Sequence, residues 1–195
     1  MNLVLAAAFT IVLQAATTSA YAHRLDEYLQ ATTFSLEKDR VQVDIRLVPG
    51  VLVVREVLAA IDADKDGVIA DAELRAYAHR LQHDLVLAID AKPARLRLAS
   101  SSIDDVQTLN EGAGEIRLRF VADVPPGGAQ RRIVFENKHH GAIASYLANC
   151  LVPADPSIRI TAQHRNHAQS RYRLEYTVGA SVPAGTERRT AIRSH

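Results

Sequence analysis

From Tyr28 to Leu36 apolar and polar side chains alternate, and from Val41 to Leu47 the chain reads Val-Gln-Val-Asp-Ile-Arg-Leu. Successive side chains of a strand point to opposite faces, so a period of two predicts strands with one face in a core. Pro49-Gly50 breaks this pattern. Between Val51 and about Asp84 the apolar residues move to helical spacing around an acidic stretch. Strand-like segments return at Leu85–Ile89 and Leu96–Leu98, joined by a turn containing Lys92-Pro93, and then at Glu115–Ala122, Arg131–Glu136, Ser157–Ala162 and Arg171–Val178. Pro125-Pro126-Gly127-Gly128 and Pro153–Pro156 separate some of them. The predicted fold is mainly β, antiparallel and sandwich-like, occupying residues 23–178 with a helix–loop–helix inserted at about 51–84. Residues 179–195 lose the strand pattern and are expected to fray.

The first 22 residues differ in kind. No charged side chain precedes His23, Leu3 to Leu13 form an apolar run, and the stretch closes on Ala20-Tyr21-Ala22. That ending fits the small-x-small rule of a signal-peptidase site, although the Lys or Arg usual near Met1 is missing. The run is too short for hydrocarbon roughly 30 Å thick, which needs about 20 residues. Residues 1–22 are therefore expected to be a signal peptide, placing the mature chain in the periplasm or outside the cell. No later segment is long and apolar enough to suggest a transmembrane span in the mature chain.

Charge narrows the choice of partners. The formal net charge is +1 and arginine is scattered through alternating segments, which argues against nucleic acid. The single cysteine, Cys150, excludes an internal disulfide. It lies in the apolar Ile143–Val152 segment and is expected to be buried. Stability must come from the core and from any bound metal.

Such a metal is suggested by residues 62–73, Asp-Ala-Asp-Lys-Asp-Gly-Val-Ile-Ala-Asp-Ala-Glu, which match the twelve-residue EF-hand calcium loop. Asp62, Asp64 and Asp66 offer hard carboxylate oxygens, and Gly67 permits the sharp turn after them. Val68 offers its backbone carbonyl, and Glu73 is expected to bind through both carboxylate oxygens. Position nine is Ala70, where water can stand in for a side chain. Before the loop Val54, Val57, Leu58 and Ile61 form an apolar helical stripe; after it Leu74, Tyr77, Ala78 and Leu81 form another. Sensors normally carry paired loops, whereas this sequence has one, so a calcium-filled structural brace is expected rather than a switch.

Several stretches resemble the extracytoplasmic N-terminal region of HupE/UreJ-type membrane proteins, the hydrogenase and urease accessory family. They are His23-Arg-Leu-Asp-Glu-Tyr-Leu-Gln, Val48-Pro-Gly, Phe135-Glu-Asn-Lys-His and Ser145-Tyr-Leu-Ala-Asn-Cys-Leu-Val-Pro. The resemblance runs from about His23 to Val178 and implies an exported accessory module, with an unidentified protein partner at the membrane. It also raises an alternative, an extracytoplasmic protein that handles nickel, copper or zinc for uptake. The family's multi-helix membrane domain has no counterpart in these residues, so transport is not carried over.

Candidate soft-metal ligands are sparse. His79 and His83 stand four apart on the second predicted helix, away from its apolar stripe, and His139-His140 and His164/His167 form other pairs. A solvated face explains each pair more simply than a zinc, nickel or copper site. Cleavage before His23 would place an α-amino group beside its imidazole, a further pair for Cu²⁺ or Ni²⁺. Ser100-Ser101-Ser102 lacks the context of a nucleophile elbow, and no HExxH, P-loop or dinucleotide fingerprint occurs, so no enzyme is expected.

Overall fold

The computed structural model describes residues 25–179. The expected signal peptide, His23 and all of the expected tail beyond Gly179 lie outside the described residues. Two five-stranded sheets face each other. The first carries strands β1 (Tyr28–Leu36), β2 (Arg40–Pro49), β5 (Arg97–Ile103), β6 (Ile116–Asp123) and β8 (Ala144–Cys150), in the order β5-β6-β2-β1-β8. The second carries β3 (Leu85–Ile89), β4 (Lys92–Pro93), β7 (Gln130–Asn137), β9 (Ile158–Arg165) and β10 (Arg171–Val178), in the order β4-β3-β7-β10-β9. All described pairings are antiparallel except β1 with β8. The mainly β, sandwich-like prediction agrees with this arrangement.

Alternation in the sequence becomes the core. Val41, Val43, Ile45 and Leu47 of β2 point inward beside Ile116, Leu118, Phe120 and Ala122 of β6. Leu87 and Ile89 of β3, Ile133 and Phe135 of β7, and Tyr172 and Leu174 of β10 face them from the other sheet. Phe34 joins the layers, its ring 5.1 Å from Phe135 edge-to-face and 5.2 Å from Tyr172 in a stack. Burying each such side chain stabilises the fold by about 1.5–3 kcal/mol before the entropy of ordering is counted.

Between β2 and β3 the chain leaves the sheets as helix α1 (Val54–Ile61), an irregular stretch, and helix α2 (Asp71–His83). The apolar stripe of α2 is buried throughout, with Leu74, Tyr77, Ala78 and Leu81 at most 2% exposed. Val54, Val57 and Ile61 of α1 are buried too, while Leu58 is half-buried. Arg80 of α2 donates to the Ala60 carbonyl, and α2 lies against β3 and β5. Among the described residues no helix is long and apolar enough to cross a membrane.

Three elements depart from the sequence expectations: Lys92–Pro93, expected in a turn, pairs with β3 as strand β4, and strand β8 and a short third helix have no predicted counterpart. Strand β8 falls in a segment read only as apolar, and Ala148 is its one fully buried residue. It runs parallel to β1, with an uneven burial pattern that no two-residue period announces. Helix α3 (Val106–Asn110) is too short to show a helical period; Asp105 caps it by accepting from the Thr108 amide at 2.9 Å. Strand β5 runs on through Ser100–Ser102, and β9 continues to Arg165, past the expected limits.

Candidate metal centre

Residues 62–70 form a turn organised by its own acids. Asp62 Oδ2 accepts from the Gly67 amide at 3.0 Å, Asp64 Oδ1 from Asp66 at 3.2 Å, and Asp66 Oδ1 from Val68 at 2.7 Å. Each carboxylate thus fixes a backbone amide, as short acidic side chains do in turns. Lys65 and Gly67 adopt left-handed backbone, with φ of 64° and 83°. Nothing lies within 4 Å of where a Gly67 Cβ would stand, so the glycine is needed for its dihedral rather than for space.

This folding brings Asp62, Asp64 and Asp66 together, with ligand oxygens within 4.8 Å of one another. Asp64 and Asp66 are exposed, but Asp62 is half-buried, and its Oδ1 is sealed from solvent with no hydrogen-bond partner. A buried acceptor left unpaired is costly, and a cation seated among the three carboxylates would satisfy it. Among the described residues nothing outside the helices and strands donates to the Val68 carbonyl, and the Val68 side chain is 66% exposed. An all-oxygen donor set of this kind suits a hard cation and not zinc, nickel or copper.

Glu73 stands apart from the aspartate group. Its Oε1 accepts from the amides of Ala63 at 2.6 Å and Asp64 at 3.3 Å, and its Oε2 from Ala70 at 3.0 Å. The last bond is half of a capping box at the start of α2; Ala70 has no side-chain oxygen to supply the other half. The Ala70 amide first and the Ala63 amide next hold the Glu73 carboxyl below the usual carboxylate range. Three amides fill three of roughly four lone-pair positions. Binding a metal through both oxygens therefore requires Glu73 to release amides.

The helix after the loop is locked to the sandwich by a buried polar chain whose members lie far apart in sequence. The Tyr77 hydroxyl of α2 lies 2.8 Å from the Tyr28 hydroxyl and 2.9 Å from His139 Nε2, and His139 Nδ1 lies 2.7 Å from Asp84 Oδ2. Asn137 accepts from the His139 amide and donates to Gln30, and Gln30 and Tyr146 both donate to the His139 carbonyl. Burial holds His139 below the ordinary histidine value, against the pull of Asp84, and pushes the Tyr77 hydroxyl up to about 12.

The other expected ligands do not converge. His79 and His83 are exposed on α2, and His164 and His167 are exposed on and beyond β9. Both ring nitrogens of His139 are already engaged. Among the described residues, no group of three His, Cys, Asp or Glu side chains other than Asp62, Asp64 and Asp66 is placed to hold a metal. Cys150 is half-buried rather than fully buried; its thiol donates to the Leu151 carbonyl at 3.3 Å, and burial pushes its pKa up to about 11. Comparison with protein-family models, with curated proteins and with solved structures finds no match for this chain.

Proposed function

We propose that the protein is an exported calcium-binding module in which the α1–loop–α2 segment acts as a single EF-hand and braces the sandwich. Asp62, Asp64 and Asp66 supply side-chain oxygens, Val68 its carbonyl, and Glu73 its carboxylate after leaving the loop amides. The observation that carries this reading is the buried, unpartnered Asp62 Oδ1 within 4.8 Å of the ligand oxygens of Asp64 and Asp66. Residues 62–73 hold five carboxylates against the single Lys65, so the metal-free loop is under mutual repulsion that a divalent cation relieves.

A brace follows from what the helices touch. α1 and α2 are tied together at Arg80, and α2 is tied to the sandwich through Tyr77 and its buried stripe. Fixing the loop therefore fixes the start of α2, whose far end runs into β3. A weak site of about 10⁻⁴–10⁻³ M stays filled at extracellular calcium and serves stability rather than signalling. The implied setting is an accessory role beside an unidentified membrane-associated partner. Calorimetric titration tests the site: one Ca²⁺ per chain is expected, with binding lost in Asp62→Asn. Absence of heat at millimolar calcium, or undiminished binding in that variant, sinks the assignment.

A further inference from the structure

At the end of the second sheet remote from α2 lies a recess of about 760 Å³, large enough for a small organic molecule. It lies between the β3–β4 turn, the 125–129 loop, Thr161 of β9 and the end of β10. Arg131 of β7 and Tyr176 of β10 are opposite each other across the strand pair, and both point inward. The Arg131 side chain is 4% exposed. Its Nε donates to Asp90 Oδ2 at 2.7 Å and its Nη2 to the Pro125 carbonyl at 2.8 Å, while Nη1 has no hydrogen-bond partner among the described residues. Tyr176 is 2% exposed, and its hydroxyl is buried with no hydrogen-bond partner among the described residues.

Local irregularities converge on these two side chains. Asp90 and Ala91 form the β3–β4 turn with φ of 50° and 65°, left-handed values that neither residue adopts freely. The turn presents the Asp90 carboxylate to Arg131 and to the Arg132 amide, at 2.7 and 2.8 Å. Across the recess the β9–β10 register slips between Glu175 and Tyr176, leaving Thr161 unpaired on the recess wall. Bulges of this kind re-aim side chains beside binding sites. Gly127 lies directly over the guanidinium, where a Cβ would come within 2.9 Å of Arg131 Cζ.

Charge then selects the occupant. Asp90 is matched by Arg131, and Glu175 is shared by Arg132 and Arg173, each at 3.5 Å. Lys92, on the same wall, has no acidic partner among the described residues. We infer that this recess binds a small oxyanion, a carboxylate or phosphate group, through Arg131 Nη1, the Tyr176 hydroxyl and the Lys92 ammonium. All three are donors, and a ligand oxygen supplies the acceptor that the buried hydroxyl lacks. Burial pushes the Tyr176 hydroxyl pKa above its usual value, so the group remains a donor at neutral pH.

The test titrates the intact chain with inorganic phosphate and, separately, with succinate, at fixed calcium and matched ionic strength. At least one probe is expected to bind once per chain and raise the unfolding temperature; phosphate alone marks a phosphoryl ligand, succinate alone a carboxylate. Tyr176→Phe is expected to weaken that binding about tenfold and Lys92→Gln to weaken it less, while both variants stay folded. Without probe, Tyr176→Phe should leave the unfolding temperature unchanged or higher, because it deletes an unpartnered buried hydroxyl. Failure of both probes to bind, or equal binding in Tyr176→Phe, overturns the assignment. So does a clear loss of stability in that variant without probe.

Discussion

Removing one oxygen atom from Tyr77 should cost more than removing one from Tyr28, although the two hydroxyls touch. The Tyr77 hydroxyl bridges Tyr28 at 2.8 Å and His139 Nε2 at 2.9 Å, and the three residues are at most 6% exposed. Tyr77→Phe keeps the ring and so opens no large cavity, but it strands a buried hydroxyl and a buried imidazole nitrogen. A stranded buried polar group costs about 1–3 kcal/mol, so the predicted loss is about 2–4 kcal/mol. Tyr28→Phe leaves Tyr77 bonded to His139 and should cost about 1 kcal/mol. In the double variant only His139 is stranded, so its loss should be about 1–2 kcal/mol, short of the summed single losses by about 2–3 kcal/mol. Against a domain stability of about 5–15 kcal/mol, all three remain measurable by urea unfolding at fixed calcium. If Tyr77→Phe costs no more than Tyr28→Phe, the chain does not lock α2 to the sandwich as described.

Other outcomes follow from the same geometry. Because His139 has a lowered pKa in the fold, its contribution is complete above the unfolded value of about 6.5 and is lost as pH falls from there through the lowered one. The urea midpoint should therefore decline below about pH 6.5, and less steeply in His139→Gln. Glu73, also lowered, adds a second decline at acid pH, beginning near its unfolded value of about 4.3, which Glu73→Gln should remove. Gly67→Ala should cost about 1–2 kcal/mol through left-handed backbone alone, with no clash, as read by thermal unfolding. Ala70→Asp should tighten calcium binding in calorimetry by adding an oxygen where the present side chain has none.

Much of the sandwich was legible because one face of each central strand is buried, which writes a two-residue period into β1, β2, β6 and β10. Edge strand β8 escaped because Ala148 is its one fully buried residue. The acidic turn was legible because its aspartates lie two residues apart in sequence, and the structure brings Asp62, Asp64 and Asp66 together as that spacing suggests. Glu73 was read as a metal ligand only, whereas it also accepts loop amides. The Tyr77–His139–Asp84 chain and the Arg131–Tyr176 recess were illegible for one reason. Their members lie on different strands and helices, and only pairing and packing bring them into reach. Single residues such as Asn137 or Arg131, polar at inward positions of β7, were the one sequence trace of either.

The central claim is that calcium in this loop stabilises the whole domain, and unfolding of the intact chain in calcium and in chelator tests it most directly. Calcium at 100 times its dissociation constant should add about 2.7 kcal/mol, provided the unfolded chain does not bind it. Glu73→Gln should lose most of that increment, and in chelator it should unfold below the wild type because its amide oxygen replaces a carboxylate that accepts three loop amides. Coincident unfolding curves for the wild type in millimolar calcium and in chelator would contradict the claim.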